Sequence, residues 1–347
     1  MSIHARRVFR LALTVALSLA AGYALNLSIP FIAPIFAFML CAPPAAPMGL
    51  KGLLGLTVLV VTTLGTGLFL VPVIDYFPVA AIMIIGVGIF FSNYIAINLN
   101  KNLVGLFLTV GITLISAAGT LDYAVSYLVI NAMVMGIVVA VASQWLVYPL
   151  FPEQVAVAAP HEAAIIDSDK WIALRATMIV LPVFLLVLTN PGAYLPILMK
   201  GTALAQEASV TRAKDAGREL LGSTFLGGAL AILFWFALGL SVTLWMFFLW
   251  MLIFGIYISA KIYGVLPSRM TMTFWLNVAV TMLILLGSAV GDTANGKDVY
   301  EAFAVRMGLF ICVTLYAWLA IALLERWHSG SANLQQRLAT PAAHTSA

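Results

Sequence analysis

The sequence predicts an all-α polytopic membrane protein with about twelve transmembrane helices. These form two parallel six-helix repeats, and both termini lie in the cytoplasm. Three observations carry the prediction. Of the 347 residues, 63% are hydrophobic, and the 17 Lys+Arg and 13 Asp+Glu amount to only 9% charged, against about 25% in a soluble domain. That is too little polar surface to coat a globule in water, and it excludes a cytosolic enzyme, a nucleic-acid binder and a disordered regulator. Apolar runs of spanning length, roughly 20 residues, recur along the chain. The two halves also match at a fixed offset.

The runs of the first half fall at 8–26, 31–48, 52–74, 77–97, 102–120 and 124–151; those of the second fall at 171–189, 192–208, 217–238, 242–260, 271–290 and 302–324. Arg6, Arg7 and Arg10 precede the first, but Asn26, Ser28 and Pro30 follow it without a small-x-small cleavage site, so it stays as a helix. The second run is apolar only over Phe31–Ala42 before Pro43, Pro44 and Pro47. Proline removes a backbone donor and breaks or kinks a helix, so this crossing is interrupted. The eighth, carrying Pro196 and Lys200, is interrupted in the same way.

Charge placement sets the count. Arg6, Arg7, Arg10, Lys51, Lys101, Lys170, Arg175, Arg212, Lys214, Arg218, Lys261, Arg269, Arg326 and Arg337 fall at the termini and in the even connections. The odd connections hold Asp75, Asp122, Asp292, Asp298 and Glu301, with Lys297 the basic exception. The positive-inside bias then places both termini in the cytoplasm. Were the second or eighth run to fail to cross, Lys51 and Lys101 would change sides and the bias would invert.

Lys51-Gly-Leu-Leu-Gly-Leu-Thr57 aligns with Arg218-Glu-Leu-Leu-Gly-Ser-Thr224 at an offset of 167. At the same offset, Gly88-Ile-Phe-Phe-Ser92 aligns with Gly255-Ile-Tyr-Ile-Ser259 and Phe69 with Phe236. Arg10 and Arg175 head the corresponding first helices. An even number of helices per repeat gives the repeats one orientation, related by an axis along the membrane normal. Transporters hold substrate at such repeat interfaces. The organisation is therefore a first membrane repeat over 1–152, a cytoplasmic linker over 153–170, a second repeat over 171–327 and a disordered tail over 328–347.

The Arg-headed first helix, the Pro-containing second helix (Pro30, Pro34) and the basic-x-Leu-Leu-Gly-x-Thr start of the third carry a family resemblance. The chain resembles short bacterial members of the fusaric acid resistance and aromatic acid exporter superfamily, which lack the large cytoplasmic domains. It is similar also to the plant aluminium-activated malate channels. The resemblance covers about residues 5–325. It implies an inner-membrane efflux component for aromatic or other organic acids, driven by the proton gradient and working with a periplasmic adaptor of the membrane-fusion type. A passive anion channel and a non-transporting anchor or assembly subunit are the alternatives. The partners admitted are an organic acid substrate, the lipid bilayer, the adaptor and a second copy of the chain; nucleic acid is excluded.

Charges within a span are costly and therefore candidate working groups. Lys200 and Glu207 lie in the interrupted eighth run, with Gln206 beside them. Seven residues put Lys200 and Glu207 on one helix face about 10 Å apart along the axis, and Gly201 permits a bend that would bring them closer. Lys200 suits a counter-ion for a substrate carboxylate and Glu207 a protonatable coupling group; the bland alternative for Glu207 is a solvated position beside Arg212 and Lys214. Arg306, one turn into the last helix, either guides an anion outward or snorkels to headgroups. Asn93, Asn131, Gln144 and Asn277 are in-span polar groups, which elsewhere mostly join helices. Lys51 and Arg218, with Pro43 and Pro44, are repeat-related anchors or gate elements. The chain carries no Walker glycine loop, no nucleophile elbow and no His or Cys set at metal spacing, with only Cys41 and Cys312 present. Neither a cofactor, a metal nor an enzymatic activity is expected.

Overall fold

The structure is a computed structural model. It describes residues 2–153, 170–210, 213–294, 296 and 298–339; the side chains of 193, 203, 205–217, 294 and 328–339 lie outside the described set. Thirteen α-helices appear among these residues, and no strand. The first half comprises α1 (Ile3–Ala24), α2 (Ile32–Cys41), α3 (Leu50–Tyr76), α4 (Pro78–Asn98), α5 (Asn102–Val110), α6 (Ser116–Gly119) and α7 (Tyr123–Val147). The second comprises α8 (Lys170–Thr189), α9 (Pro191–Val210), α10 (Ala213–Gly239), α11 (Leu244–Ile262), α12 (Met272–Ala294) and α13 (Val299–Ala339). A π-turn over Gly111–Ile115 joins α5 to α6, making one crossing of them.

Polar residues punctuate the apolar runs. Ser2, Asp122 and Thr243 each accept a hydrogen bond from the first-turn backbone of the helix they open, supplying partners for amides that the helix leaves unpaired. Within the spans, Thr62, Thr63, Thr66, Thr113 and Thr281 donate to carbonyls of the preceding turn, so their hydroxyls need no water.

Among the described residues, ten helices are long and apolar enough to cross a membrane, the make-up of a multi-pass membrane protein. The two expected crossings outside that set are α2 and α9, the pair expected to be interrupted. The run expected over 31–48 is helical only over Ile32–Cys41. Its ten residues rise about 15 Å, half of a roughly 30 Å hydrocarbon core. The helix stops where Pro43 and Pro44 begin. By contrast α9 continues unbroken through Pro196 and Gly201. Gly201 serves close packing, since a Cβ there would lie 2.9 Å from Val183 Cγ1 on α8. The last helix extends to Ala339, past the point where the sequence placed the tail. No proline interrupts the stretch after Glu325 before Pro341.

Within the first half, α1 packs on α2 and α7, α2 on α7, and α3 on the α5–α6 crossing. Within the second, α8 packs on α9 and α13, α9 on α13, and α10 on α12. Between halves, α1 lies along α11 and α4 along α8, while α2 touches α12 and α5 touches α9. The core is continuous through both halves.

Ion pairs tie down the end of the bundle where α1 begins. Arg10 is 2% exposed, its guanidinium 2.6 Å from Glu153 Oε2, and Arg7 Nε donates to Glu153 Oε1 at 2.8 Å. Burial of Glu153 pushes its pKa up, but the hydrogen bonds and charges of Arg7 and Arg10 outweigh this and hold it below the ordinary glutamate value. The carboxylate thus stays ionised, and the contact persists, at a pH where a free glutamate is already protonating. In the second half Arg175, 5% exposed, donates to Glu325 Oε1 at 2.6 Å. Each half therefore joins its first helix to the end of its last through a buried arginine, and neither glutamate was singled out in the sequence.

Candidate functional site

The short α2 leaves room near the middle of the bundle. There a cavity of about 320 Å³ opens between the halves, walled by α2, α4, α5 and α7 on one side and by α9 and α12 on the other. Its deep walls are apolar: Phe107, Leu114, Met133 and Ile284 are each under 5% exposed. Its lining reaches Ile97, Asn102 and Thr273 at the ends of α4, α5 and α12 next to Lys101 and Arg269, where Asn102 is exposed. Polar groups interrupt the walls at Asn93, Thr109, Thr202 and Asn277. Asn93 Nδ2 donates to Ile89 O at 2.9 Å, leaving its carbonyl oxygen to the cavity. Thr109 shares a 2.6 Å hydrogen bond with Ser92, which also donates to Gly105 O.

Lys200 lies beside this cavity, on the seam between α9 and α12. It is 1% exposed, among the largest fully buried side chains of the protein. Its neighbours Met199 and Thr202 face the cavity. Its ammonium donates to Thr281 Oγ1 at 2.8 Å, and that hydroxyl donates to Asn277 O at 2.7 Å. An ammonium this deep exacts a large desolvation penalty.

The other sequence candidates distribute as follows. Asn93 and Asn277 reach the cavity wall, whereas Asn131 is exposed on α7 and Gln144 is buried away from the cavity. Gln206 and Glu207 belong to α9, but their side chains lie outside the described residues. Arg306 forms a two-pronged pair with Asp292: Nη2 donates to Oδ1 at 3.0 Å, and Nη1 donates to Oδ2. Its charge thus braces α13 against the end of α12. Lys51, Arg218, Pro43 and Pro44 are exposed at the Arg10 end. Among the described residues, no group of three or more His, Cys, Asp or Glu is placed to hold a metal ion.

Thr281 and Thr109 were not anticipated, although a signal for them exists. The run Leu106-Phe-Leu-Thr-Val-Gly-Ile-Thr-Leu-Ile115 recurs as Phe274-Trp-Leu-Asn-Val-Ala-Val-Thr-Met-Leu283, 168 positions on. Thr109 and Thr113 are answered by Asn277 and Thr281, and both threonines donate to the carbonyl four residues back. The shift from 167 to 168 reflects one extra residue between Ser259 and Phe274. The π-turn at Gly111 borders the cavity through Val110 and Leu114, a feature frequent at working sites.

A family described as "Protein of unknown function (DUF2955)" matches residues 7–147, the first half of the chain. No curated protein and no solved structure matches the sequence.

Proposed function

We propose that the protein is a short member of the fusaric acid resistance and aromatic acid exporter superfamily that carries organic acid anions, foremost aromatic ones, out across a bacterial inner membrane. Transport is driven by the proton gradient and works with a periplasmic adaptor. The observation that carries this reading is the cavity between the halves with the buried Lys200 ammonium against its wall. The cavity is about twice the roughly 150 Å³ that accepts a benzene ring, its surfaces suit an aromatic body, and Lys200 with the asparagine amides suits a carboxylate.

The architecture under this proposal is twelve crossings in two repeats of equal orientation. The within-half packings named above have their counterparts, and so do the main ones between halves: α1 on α11 answers α8 on α4, and α2 with α12 answers α9 with α5. A full crossing by the short α2 is supported at both its ends. Pro30, just before it, packs on Gly22 near the end of α1. Ala42, just after it, accepts a 2.7 Å hydrogen bond from Tyr263, which feels the charges of Arg10, Arg7 and Glu153. The chain thus returns through α2 to the side it left, and the basic residues collect there, the cytoplasmic side by the positive-inside rule. Lys200 breaks the pseudo-symmetry, since the matching stretch of α2 is Ala33-Pro34-Ile35. One half contributes the charge and the other mostly apolar wall.

Growth tests address the substrate. A strain lacking the gene is expected to become sensitive to a subset of aromatic carboxylic acids and to regain tolerance when the gene is restored. Equal sensitivity to every aromatic and aliphatic acid, with and without the gene, would count against export.

A further inference from the structure

The cavity is lopsided. It is lined from α2, α5, α7, α9 and α12, and also by Asn93, Ala96 and Ile97 of α4, but by no residue of α11. Aligning the halves at the offset of 167 explains this. Asn93, Ala96 and Ile97 of α4 correspond to Ala260, Tyr263 and Gly264 at the end of α11. Where α4 presents a methyl group, α11 presents a phenol. Tyr263 is half-buried and donates to Ala42 O at 2.7 Å, bridging the end of α11 to the end of α2. On the same stretch of α11, Tyr257 stacks edge-on with Trp275 of α12, and Lys261 caps both rings. Burial pushes the Tyr263 pKa up, so the ring remains a neutral donor at any physiological pH.

We propose that the cavity is loaded through a single mouth at the α4–α5 corner, and that Tyr263 plugs the pseudo-equivalent mouth at the α11–α12 corner. This rests on the repeat architecture and the transport reading given above. A symmetric pair of mouths would lead one site into two competing routes. Filling one of them gives an anion a single approach, on the side of the bundle where Asn93 and Asn102 stand. Tyr263 acts here as a positioning residue: it shapes the route and does not contact the cargo.

Thiol labelling in detergent tests the plug without requiring transport. Cys41 and Cys312 are first replaced (Cys41→Ala, Cys312→Ser), and single cysteines are placed at Asn93→Cys or Ala260→Cys. With Tyr263 intact, a charged methanethiosulfonate reagent is expected to modify Asn93→Cys at least about tenfold faster than Ala260→Cys, because reaction follows access to the thiolate. Adding Tyr263→Ala is expected to bring Ala260→Cys up to the Asn93→Cys rate. Tyr263→Phe, which keeps the ring, is expected to leave it slow. At the existing mouth, Ile97→Trp is expected to slow Asn93→Cys, an arm that stands even if Tyr263→Ala fails to fold. Equal rates with Tyr263 intact would overturn the proposal. So would an inert Ala260→Cys in a Tyr263→Ala protein that melts like its parent, opening by Tyr263→Phe, or indifference of Asn93→Cys to Ile97→Trp. Loss of export alongside the expected labelling pattern would count against the transport reading and leave the mouth assignment standing.

Discussion

Lys200→Met is expected to abolish acid export while leaving a folded protein of unchanged or greater heat stability. The ammonium is 1% exposed and donates to Thr281, so the site already bears the cost of holding a charge out of water. Breaking a buried ion pair by removing one partner instead costs about 3–5 kcal/mol, so the melting of Lys200→Met separates a substrate counter-ion from half of a structural pair. A hydrogen bond to a charged group is worth about 1.5–3 kcal/mol, so losing the anion's counter-ion should weaken capture roughly ten- to hundredfold. Lys200→Arg is expected to retain part of the activity, since the charge persists while its geometry changes. A purely structural role gives the reverse pattern: Lys200→Met melts early, and a second change, Glu207→Gln, restores stability. Export by Lys200→Met at the parental rate would remove Lys200 from the mechanism. Efflux from cells and melting of the purified variants separate these outcomes.

The largest effect on folding is expected at Gly111. Here the π-turn lets the α5–α6 crossing approach α3 backbone to backbone: a Cβ on Gly111 would sit 2.3 Å from Thr63 O and 3.0 Å from Leu64 Cα. Facing it, a Cβ on Gly67 would sit 2.0 Å from Gly111 O. Neither obstacle is a side chain that can swing aside. Gly111→Val should therefore cost at least the upper end of the roughly 1–3 kcal/mol typical of overpacking, and should also distort the cavity wall at Val110 and Leu114. Gly55→Ala is the control. That glycine is exposed on α3 with nothing within 4 Å of its ideal Cβ, so the change should be neutral or slightly stabilising, as alanine is the better helix former. Denaturation in mixed detergent micelles compares the two. A Gly111→Val protein as stable as Gly55→Ala would refute the close-contact account.

What the sequence made legible was whatever the bilayer imposes locally. Spanning length and the break at Pro43 and Pro44 are properties of neighbouring residues, and the helices follow them there, whereas α9 runs on through Pro196. Partnerships between helices were hidden. Arg10 and Arg175 were noticed as matched heads, but Glu153 and Glu325 lie about 150 residues further on, and nothing local joins them. Asp292 and Arg306 stand on consecutive helices, yet read singly they were a loop acid and an isolated basic residue. In a membrane the outer face of a helix is as apolar as the inner one, so the pattern that would reveal which face packs inward is erased. Only the sequence likeness between the halves carries such information across the chain, and there the Thr109–Thr113 and Asn277–Thr281 pairs were overlooked because the offset slips by one.

Uptake into proteoliposomes tests the central claim most directly. Purified protein is reconstituted in proteoliposomes, a radiolabelled aromatic carboxylate identified by the growth tests is supplied outside, and a pH gradient, acid inside, is imposed. Protein inserted with its basic end outward is then expected to accumulate the acid in exchange for protons, beyond the level reached in protein-free liposomes. The accumulation should collapse with a protonophore, be indifferent to ATP and be lost in Lys200→Met. Equilibration without accumulation, unaffected by the pH gradient and following only the membrane potential, would contradict proton-driven export and identify a passive anion pathway.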